Sequence, residues 1–343
     1  MFSQIVVSNN KMILPSKLNR GDKIGFYSPS SAVTNWAPKR FERARQFLAN
    51  KGFELVSGSL TGKNDFYRSG TIKDRVFELN LLIRDPDIKC IITTIGGSNS
   101  NSLLPYIDYQ ALKENPKIII GYSDATAILF AIYSRINLVT YYGPALVASF
   151  GELGEVVEST FSYFEDILIN PNSPYVINNP SEWTEDYIPW EEQVESKKLS
   201  NNALITITEG VATGRLIVGN LNTMLGIWGS RFMPEIKNGD ILVIEDSLKS
   251  ADIIERSFAH LKINGIFDKI GGLVLGKHEK FNDCGSSRKP YEILKEVIGE
   301  INFPFLAEYD CAHTHPMITL PIGVRAKLDT TSQTITILGN WIN

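Results

Sequence analysis

Lys117-Ile118-Ile119-Ile120-Gly121-Tyr122-Ser123-Asp124-Ala125-Thr126 is the stretch from which this chain is best read. Its three consecutive isoleucines show no alternation, as expected of a parallel strand buried on both faces. The run stops at a glycine, and a helical pattern then extends from Ala125 to Arg135. A strand that gives way so quickly to a helix sets Ser123 on the turn. There its hydroxyl stands above the sheet, and the first helical N–H groups can stabilise an anion. Two residues beyond the serine stands Ala125, not the glycine of the α/β-hydrolase elbow. From this stretch alone Ser123 reads equally as a helix N-cap or as a nucleophile.

The same alternation extends to either side. Gly21 to Ser31 reads as a strand running into a Ser/Pro turn, the place where α/β folds hold ligands. Pro38 to Lys51 is a helix with Phe41, Ala44 and Leu48 on one face and Gly52 as its stop. A short strand, Phe53 to Val56, precedes a helix from Thr71 to Arg84, and Ile88 to Ile95 is a second buried strand. It ends in Gly96-Gly97-Ser98-Asn99-Ser100-Asn101-Ser102, whose exposed backbone N–H groups suit a carboxylate or an oxyanion, or mark a plain loop. The β-α-β order predicts a parallel sheet with right-handed crossovers.

Beyond the Ser123 helix come a strand at Leu138 to Gly143 and a helix at Val156 to Ile169. Asn170 to Ser200 then lacks periodicity and carries the aromatics Trp183, Tyr187 and Trp190. Gly214 to Asn222 reads as a strand entering a turn, and Asp240 to Ile244 as a strand that delivers Glu245 and Asp246 at its carboxyl end. Ala251 to Ile263 and Tyr291 to Ile298 are helices, with a strand from Gly272 to Gly276 between them; turns and strands fill residues 310–338. The expected division is an amino-terminal α/β domain carrying the nucleophile at 1–169, a linker and aromatic loop at 170–201, and a carboxy-terminal domain at 202–343.

Composition narrows the function. The 343 residues are 43% hydrophobic and 21% charged, with a formal net charge of −4 and no long basic run. That is an ordinary globular balance without a phosphate-backbone footprint, so nucleic acid is not expected as a partner. Cys90, Cys284 and Cys311 are odd in number and lack CxxC spacing, which reads as free thiols in a reducing compartment. No signal-peptide pattern opens the chain and no stretch reaches the roughly 18 apolar residues of a membrane span. The expectation is a cytoplasmic protein with no membrane partner.

A serine hydroxyl is a weak nucleophile at neutral pH and needs an imidazole, itself oriented by a carboxylate. Four histidines are available: His260 within a helix, His278 after a strand end, and His313 and His315 in a turn-like Cys311-Ala312-His313-Thr314-His315-Pro316. The His-x-His pair is also a possible metal site, though no partner pair with ligand spacing accompanies it. Glu245, at a strand end, is the best-placed acid, but spacing cannot show that the three converge.

The ordered motifs Gly21-Asp22-Lys23-Ile24, Ile95-Gly96-Gly97 with Asn99 to Ser102, Gly121-Tyr122-Ser123-Asp124, Gly219-Asn220-Leu221, Glu245-Asp246, and His313 ahead of Leu320-Pro321-Ile322-Gly323 resemble the LD-carboxypeptidase family of serine peptidases. The resemblance runs from about residue 12 to 340. It implies an α/β fold with an amino-terminal parallel-sheet domain and a β-rich carboxy-terminal domain, a homodimer, and no metal or organic cofactor. It also implies Ser123 as nucleophile, Glu245 as orienting carboxylate, His313 as base, and the N–H groups of Gly97 and Asp124 as oxyanion hole. The sequence departs from the family at Ala312, where glycine is common, and His315 is a rival base. The family includes murein carboxypeptidases, which release terminal D-alanine from tetrapeptides, and microcin C immunity peptidases, which cleave peptidyl or aminoacyl nucleotides. The Trp183-Tyr187-Trp190 insertion and Gly96 to Pro105 look more like the second branch. Trp183, Trp190, Asn220, Lys249 and Ser98 are then the expected substrate contacts. The rival from another class is a non-catalytic solute-binding protein with two lobes; a third is a metal hydrolase using His313 and His315.

Overall fold

The computed structural model describes residues 11–311 and 313–343; the first ten residues and Ala312, the site of the departure from the family motif, lie outside the described residues. The strands, in chain order, begin with β1 Lys23–Tyr27, β2 Glu54–Ser57, β3 Ile88–Thr93, β4 Ile118–Gly121, β5 Thr140–Tyr142, β6 Tyr175–Ile177, β7 Glu182–Trp183 and β8 Ser200–Asn201. They continue with β9 Ile205–Thr208, β10 Val211–Asn220, β11 Ile241–Glu245, β12 Gly272–Gly276, β13 Phe305–Tyr309, β14 Leu320–Ile322, β15 Arg325–Asp329 and β16 Thr334–Ile337.

Two large sheets result. The first has the order β14-β5-β4-β3-β1-β2, parallel from β5 through β2 with β14 antiparallel on its edge. The second has the order β6-β16-β15-β10-β11-β12-β13-β9. Its centre, β10 to β13, is parallel and its flanks are antiparallel. The expected parallel amino-terminal domain and β-rich carboxy-terminal domain are both present. The uninterrupted apolar runs explain the parallel cores: every residue of β4, β11 and β12 is buried.

The helix Thr126–Ile136 lies between the sheets and is buried around nearly its whole circumference, which its near-continuous apolar sequence allows. It ends where Asn137 takes a left-handed conformation at the C-cap. Thr71 caps the helix Ile72–Arg84 by accepting from the Asp74 N–H. Among the described residues no helix is long and apolar enough to cross a membrane.

Two strands depart from the expected division. β6 lies inside the stretch read as a linker, yet pairs with β16 in the second sheet. β14 comes from the carboxy-terminal part and closes the first sheet against β5. Each is three residues long and is specified by its partner strand, not by local pattern. The strand β13 was also not expected. The two lobes are thus laced together, and the carboxyl ends of β4 and β11 meet at their seam.

Candidate active site

Ser123 stands two residues past the end of β4 and holds φ +59°, a left-handed conformation rare for any residue but glycine. This is the strained strand-to-helix turn that raises a nucleophile clear of the sheet. The small residue such a turn requires stands before the serine. A Cβ on Gly121 would lie 2.4 Å from Thr93 Oγ1 and 3.0 Å from the Ala125 Cβ. With Gly121 in place the methyl of Ala125 fits, so the missing second glycine does not prevent the elbow.

Glu245, 1% exposed, ends β11 on the other side of the seam. Its Oε2 lies 2.7 Å from His313 Nδ1, and its Oε1 accepts from the Tyr142 hydroxyl at 2.5 Å and from Asn220 Nδ2 at 2.9 Å. Three donors satisfy the carboxylate and fix its plane. With Nδ1 turned to the carboxylate, His313 keeps Nε2 for proton transfer. Burial pulls the basicity of His313 down, but the charge and hydrogen bond of Glu245, helped by Glu279 and Asp246, outweigh it and raise the pKa above the ordinary histidine value. Ser123 and His313 both line one cavity of about 590 Å³ at the seam.

The glycine pair closes the other side of the serine. A Cβ on Gly96 would sit 3.1 Å from both Ser123 Oγ and the Asp124 nitrogen. The absence of that Cβ leaves room for a substrate oxygen against the Asp124 N–H. Gly97 has φ +146°, and a Cβ there would come within 2.3 Å of Ser30 Oγ, so this loop tolerates only glycine. Among the described residues the N–H groups of Gly97 and Asp124 have no hydrogen-bond acceptor. The loop itself is clamped. The Asp124 carboxylate accepts from the N–H groups of Asn99 (3.0 Å) and Ser100 (2.9 Å), and Ser30 Oγ accepts from those of Ser98 and Asn99. Two unpaired donors beside a strained serine form an anion site of the oxyanion-hole kind.

The remaining expected contacts divide. Trp190 lines the cavity, stacked on Trp36 with ring centroids 5.2 Å apart and with the Arg40 guanidinium 4.3 Å from its centre. Trp183 is not on the cavity wall. The β7–β8 ribbon carries it to Lys277, whose ammonium lies 5.1 Å from its ring. Ser98 is also off the wall, its backbone N–H drawn to Ser30. Lys249 lines the cavity, its ammonium 3.8 Å from Asp246. Asn220 reaches the wall, but its amide is committed: Nδ2 donates to Glu245 and Oδ1 caps the helix Leu221–Leu225 through the Thr223 N–H. The neighbouring Asn222 and Thr223 stand on the wall as well.

His315 lines the cavity, but its ring has no carboxylate hydrogen bond and its Nδ1 has no partner among the described residues. Burial, then the charges of Lys197 and Arg40, push it down to about 3, so it is neutral. His278 accepts the Lys249 N–H on Nε2, and His260 packs edge-on against Trp228. Among the described residues no group of three or more His, Cys, Asp or Glu side chains is gathered as a metal site.

Tyr187, one of the three loop aromatics singled out in the sequence, lines the cavity, as do Trp36 and Lys197, and Tyr142 lies beneath it; the last three were not singled out from the sequence. Tyr142 carries a faint signal in hindsight, as the last residue of a strand beside the elbow strand.

The chain matches known proteins over nearly its whole length. Residues 24–143 match the LD-carboxypeptidase N-terminal domain and residues 213–328 the LD-carboxypeptidase C-terminal domain. A putative carboxypeptidase of Vibrio cholerae is 53% identical over 96% of this chain and 99% of its own length. The microcin C7 self-immunity protein MccF of Escherichia coli is 52% identical, over 96% of this chain and 97% of its own. A solved structure of MccF in complex with aspartyl sulfamoyl adenosine superimposes with a TM-score of 0.94 at 51% identity, covering 96% of this chain and all of that one. The two matched domains and the relatives that span the chain lead to one conclusion: this chain belongs to the LD-carboxypeptidase family of serine peptidases.

Proposed function

We propose that this chain hydrolyses the amide or acyl-phosphoramidate bond of microcin C-like peptidyl or aminoacyl nucleotides, separating the acyl group from the nucleotide and so detoxifying the compound. In this reading Ser123 is the nucleophile. His313 Nε2 takes the serine proton as Oγ attacks the acyl carbonyl, and Glu245 stabilises the imidazolium through Nδ1. The N–H groups of Gly97 and Asp124 receive the negative charge that develops on the carbonyl oxygen. Collapse of the tetrahedral adduct breaks the acyl C–N bond, and the imidazolium returns its proton to the departing nucleotide nitrogen. Water, deprotonated by the same imidazole, then releases the acid from Ser123. The steps use no metal and no organic cofactor.

The observation that carries the proposal is the His313–Glu245 contact of 2.7 Å on the cavity shared with Ser123. A binding protein would have no use for a strained serine, a paired imidazole and two vacant N–H donors in one place. The nucleotide side of the substrate is assigned by likeness to a protein that binds aspartyl sulfamoyl adenosine. Aromatic surface for a base is supplied by Trp36, Tyr187 and Trp190, and polar groups for the linker by Asn222 and Lys249. By family resemblance we also infer a cytoplasmic homodimer, which gel filtration with light scattering tests.

The test of the mechanism is labelling with a serine-directed fluorophosphonate followed by intact-protein mass spectrometry. One adduct on the wild-type chain, mapped to Ser123 and absent from Ser123→Ala, is expected. Hydrolysis of aspartyl sulfamoyl adenosine by Ser123→Ala at the wild-type rate would remove Ser123 from the chemistry.

A further inference from the structure

We propose that Tyr142 is a positioning residue that ties the strained backbone of Ser123 to the carboxylate of Glu245 and thereby sets the basicity of His313. The proposal rests on the triad reading above and goes beyond it, because Tyr142 has no part in that mechanism.

Tyr142 ends β5 in the first sheet and pairs in parallel register with Gly121, two residues before the serine. Its ring is fully buried. Its oxygen makes two bonds of opposite sense. It donates to Glu245 Oε1 at 2.5 Å and accepts the Ser123 N–H at 3.2 Å. A phenol has one proton and two lone pairs, so both roles are met at once. Burial, followed by the nearby Glu245 charge, holds this phenol protonated far above its ordinary range, so it can only donate towards the carboxylate.

Two consequences follow. The Ser123 N–H is committed to Tyr142 and is not an oxyanion donor, which leaves that role to Gly97 and Asp124. Glu245, at the end of a strand of the second sheet, is held to the elbow of the first by a single shared oxygen. Asn220 supplies a second donor to the same Oε1, but its backbone N–H is bonded to Thr126 Oγ1, beyond the elbow. Tyr142 alone touches both Ser123 and Glu245 in this way among the described residues.

Replacing Tyr142 by Phe removes the proton from Glu245 and the acceptor from Ser123 while keeping the ring. A carboxylate with two donors in place of three attracts the proton of its imidazolium more strongly. His313 is faced by Glu245 at the end of β11, by Asp246 after it, by Glu279 and His278 after β12, by His315 further along its own turn, and by the Tyr122 ring at 5.1 Å. Lys197 and Lys249 stand on the same cavity wall. Only the Glu245 contact changes in the variant.

The experiment is the pH profile of kcat/KM for aspartyl sulfamoyl adenosine with wild type, Tyr142→Phe, Ser123→Ala and a variant carrying trifluorotyrosine at 142, each checked by thermal melting. Tyr142→Phe is expected to move the acidic limb up by about half a pH unit or more and to lower kcat about 10- to 100-fold, with KM within about threefold. Trifluorotyrosine keeps the shape and donates more strongly, so its limb moves down. If Tyr142→Phe fails to melt cooperatively, the fluorinated variant decides alone. Limbs at the wild-type pH in every folded variant overturn the proposal while a dead Ser123→Ala leaves the triad intact. Wild-type turnover by Ser123→Ala overturns the triad reading itself.

Discussion

Gly96→Ala tests where the oxyanion sits. The added methyl would stand 3.0 Å from Ser123 Cβ and 3.1 Å from both Ser123 Oγ and the Asp124 nitrogen. Gly96 does not occupy the left-handed region, so its backbone accepts alanine without strain. The three contacts need shifts of only a few tenths of an ångström, and overpacking of this kind costs about 1 kcal/mol of stability. The kinetic effect is much larger. The methyl fills the space through which a carbonyl oxygen reaches the Asp124 N–H, and loss of one oxyanion donor lowers turnover about 100- to 1,000-fold, or about 2.7–4 kcal/mol of transition-state stabilisation. Because the charge develops only in the transition state, kcat should fall more than KM rises. The assay is steady-state hydrolysis of aspartyl sulfamoyl adenosine, with a melting curve as control. A normal melt with kcat/KM within threefold of wild type would show that the oxyanion lies elsewhere.

The other predictions concern charge and chemistry. His313 must be neutral to act as a base, and its raised pKa means that kcat/KM falls as the pH drops through a value above about 6.5. The same shift gives a stability contribution that is present below the unfolded-state pKa and lost as the pH rises through the folded one, measurable as urea midpoints against pH. Glu245→Gln should move the acidic limb down and reduce kcat by about 1,000-fold or more, read from the same profiles. Arg40 is buried, ion-paired with Glu152, and donates to the carbonyls of Val147 and Ala148. Arg40→Ala should therefore destabilise by about 3–5 kcal/mol in urea unfolding. Activity should be unchanged after dialysis against a chelator; a loss restored by a divalent metal would favour a metal hydrolase.

What was legible in the sequence was what chemistry writes locally. An unbroken isoleucine run ending in glycine announced the parallel sheet and put Ser123 on the strand-to-helix turn, open there as N-cap or nucleophile. A β-branched strand ending in Glu245-Asp246 marked the acid candidate, and a paired glycine marked a loop that reads as an anion loop or as a plain one. The seam was illegible, because its parts lie far apart along the chain. Trp36 meets Trp190 across the sequence distance of a whole domain, and a tyrosine ending β5 looks like any other core aromatic until Glu245 is placed against it. In the sequence the aromatic loop reads as a unit, yet the β7–β8 ribbon turns Trp183 towards Lys277 while Trp190 lines the cavity. Asn220 offered a clearer warning, since an asparagine followed by a short helical pattern is a natural N-cap and its side chain is spent there.

If Ser123 opens an acyl–nucleotide bond, the products released will show it. The most direct measurement is a mass-spectrometric product analysis of aspartyl sulfamoyl adenosine and a murein L,D-tetrapeptide incubated side by side, with wild-type chain and with Ser123→Ala. Free aspartate and sulfamoyl adenosine are expected from the wild type, none from Ser123→Ala, and an intact tetrapeptide from both. Cleavage of the tetrapeptide alone would make this a murein carboxypeptidase and contradict the assignment of the aromatic wall, and cleavage of the adenosine conjugate by Ser123→Ala would contradict the mechanism.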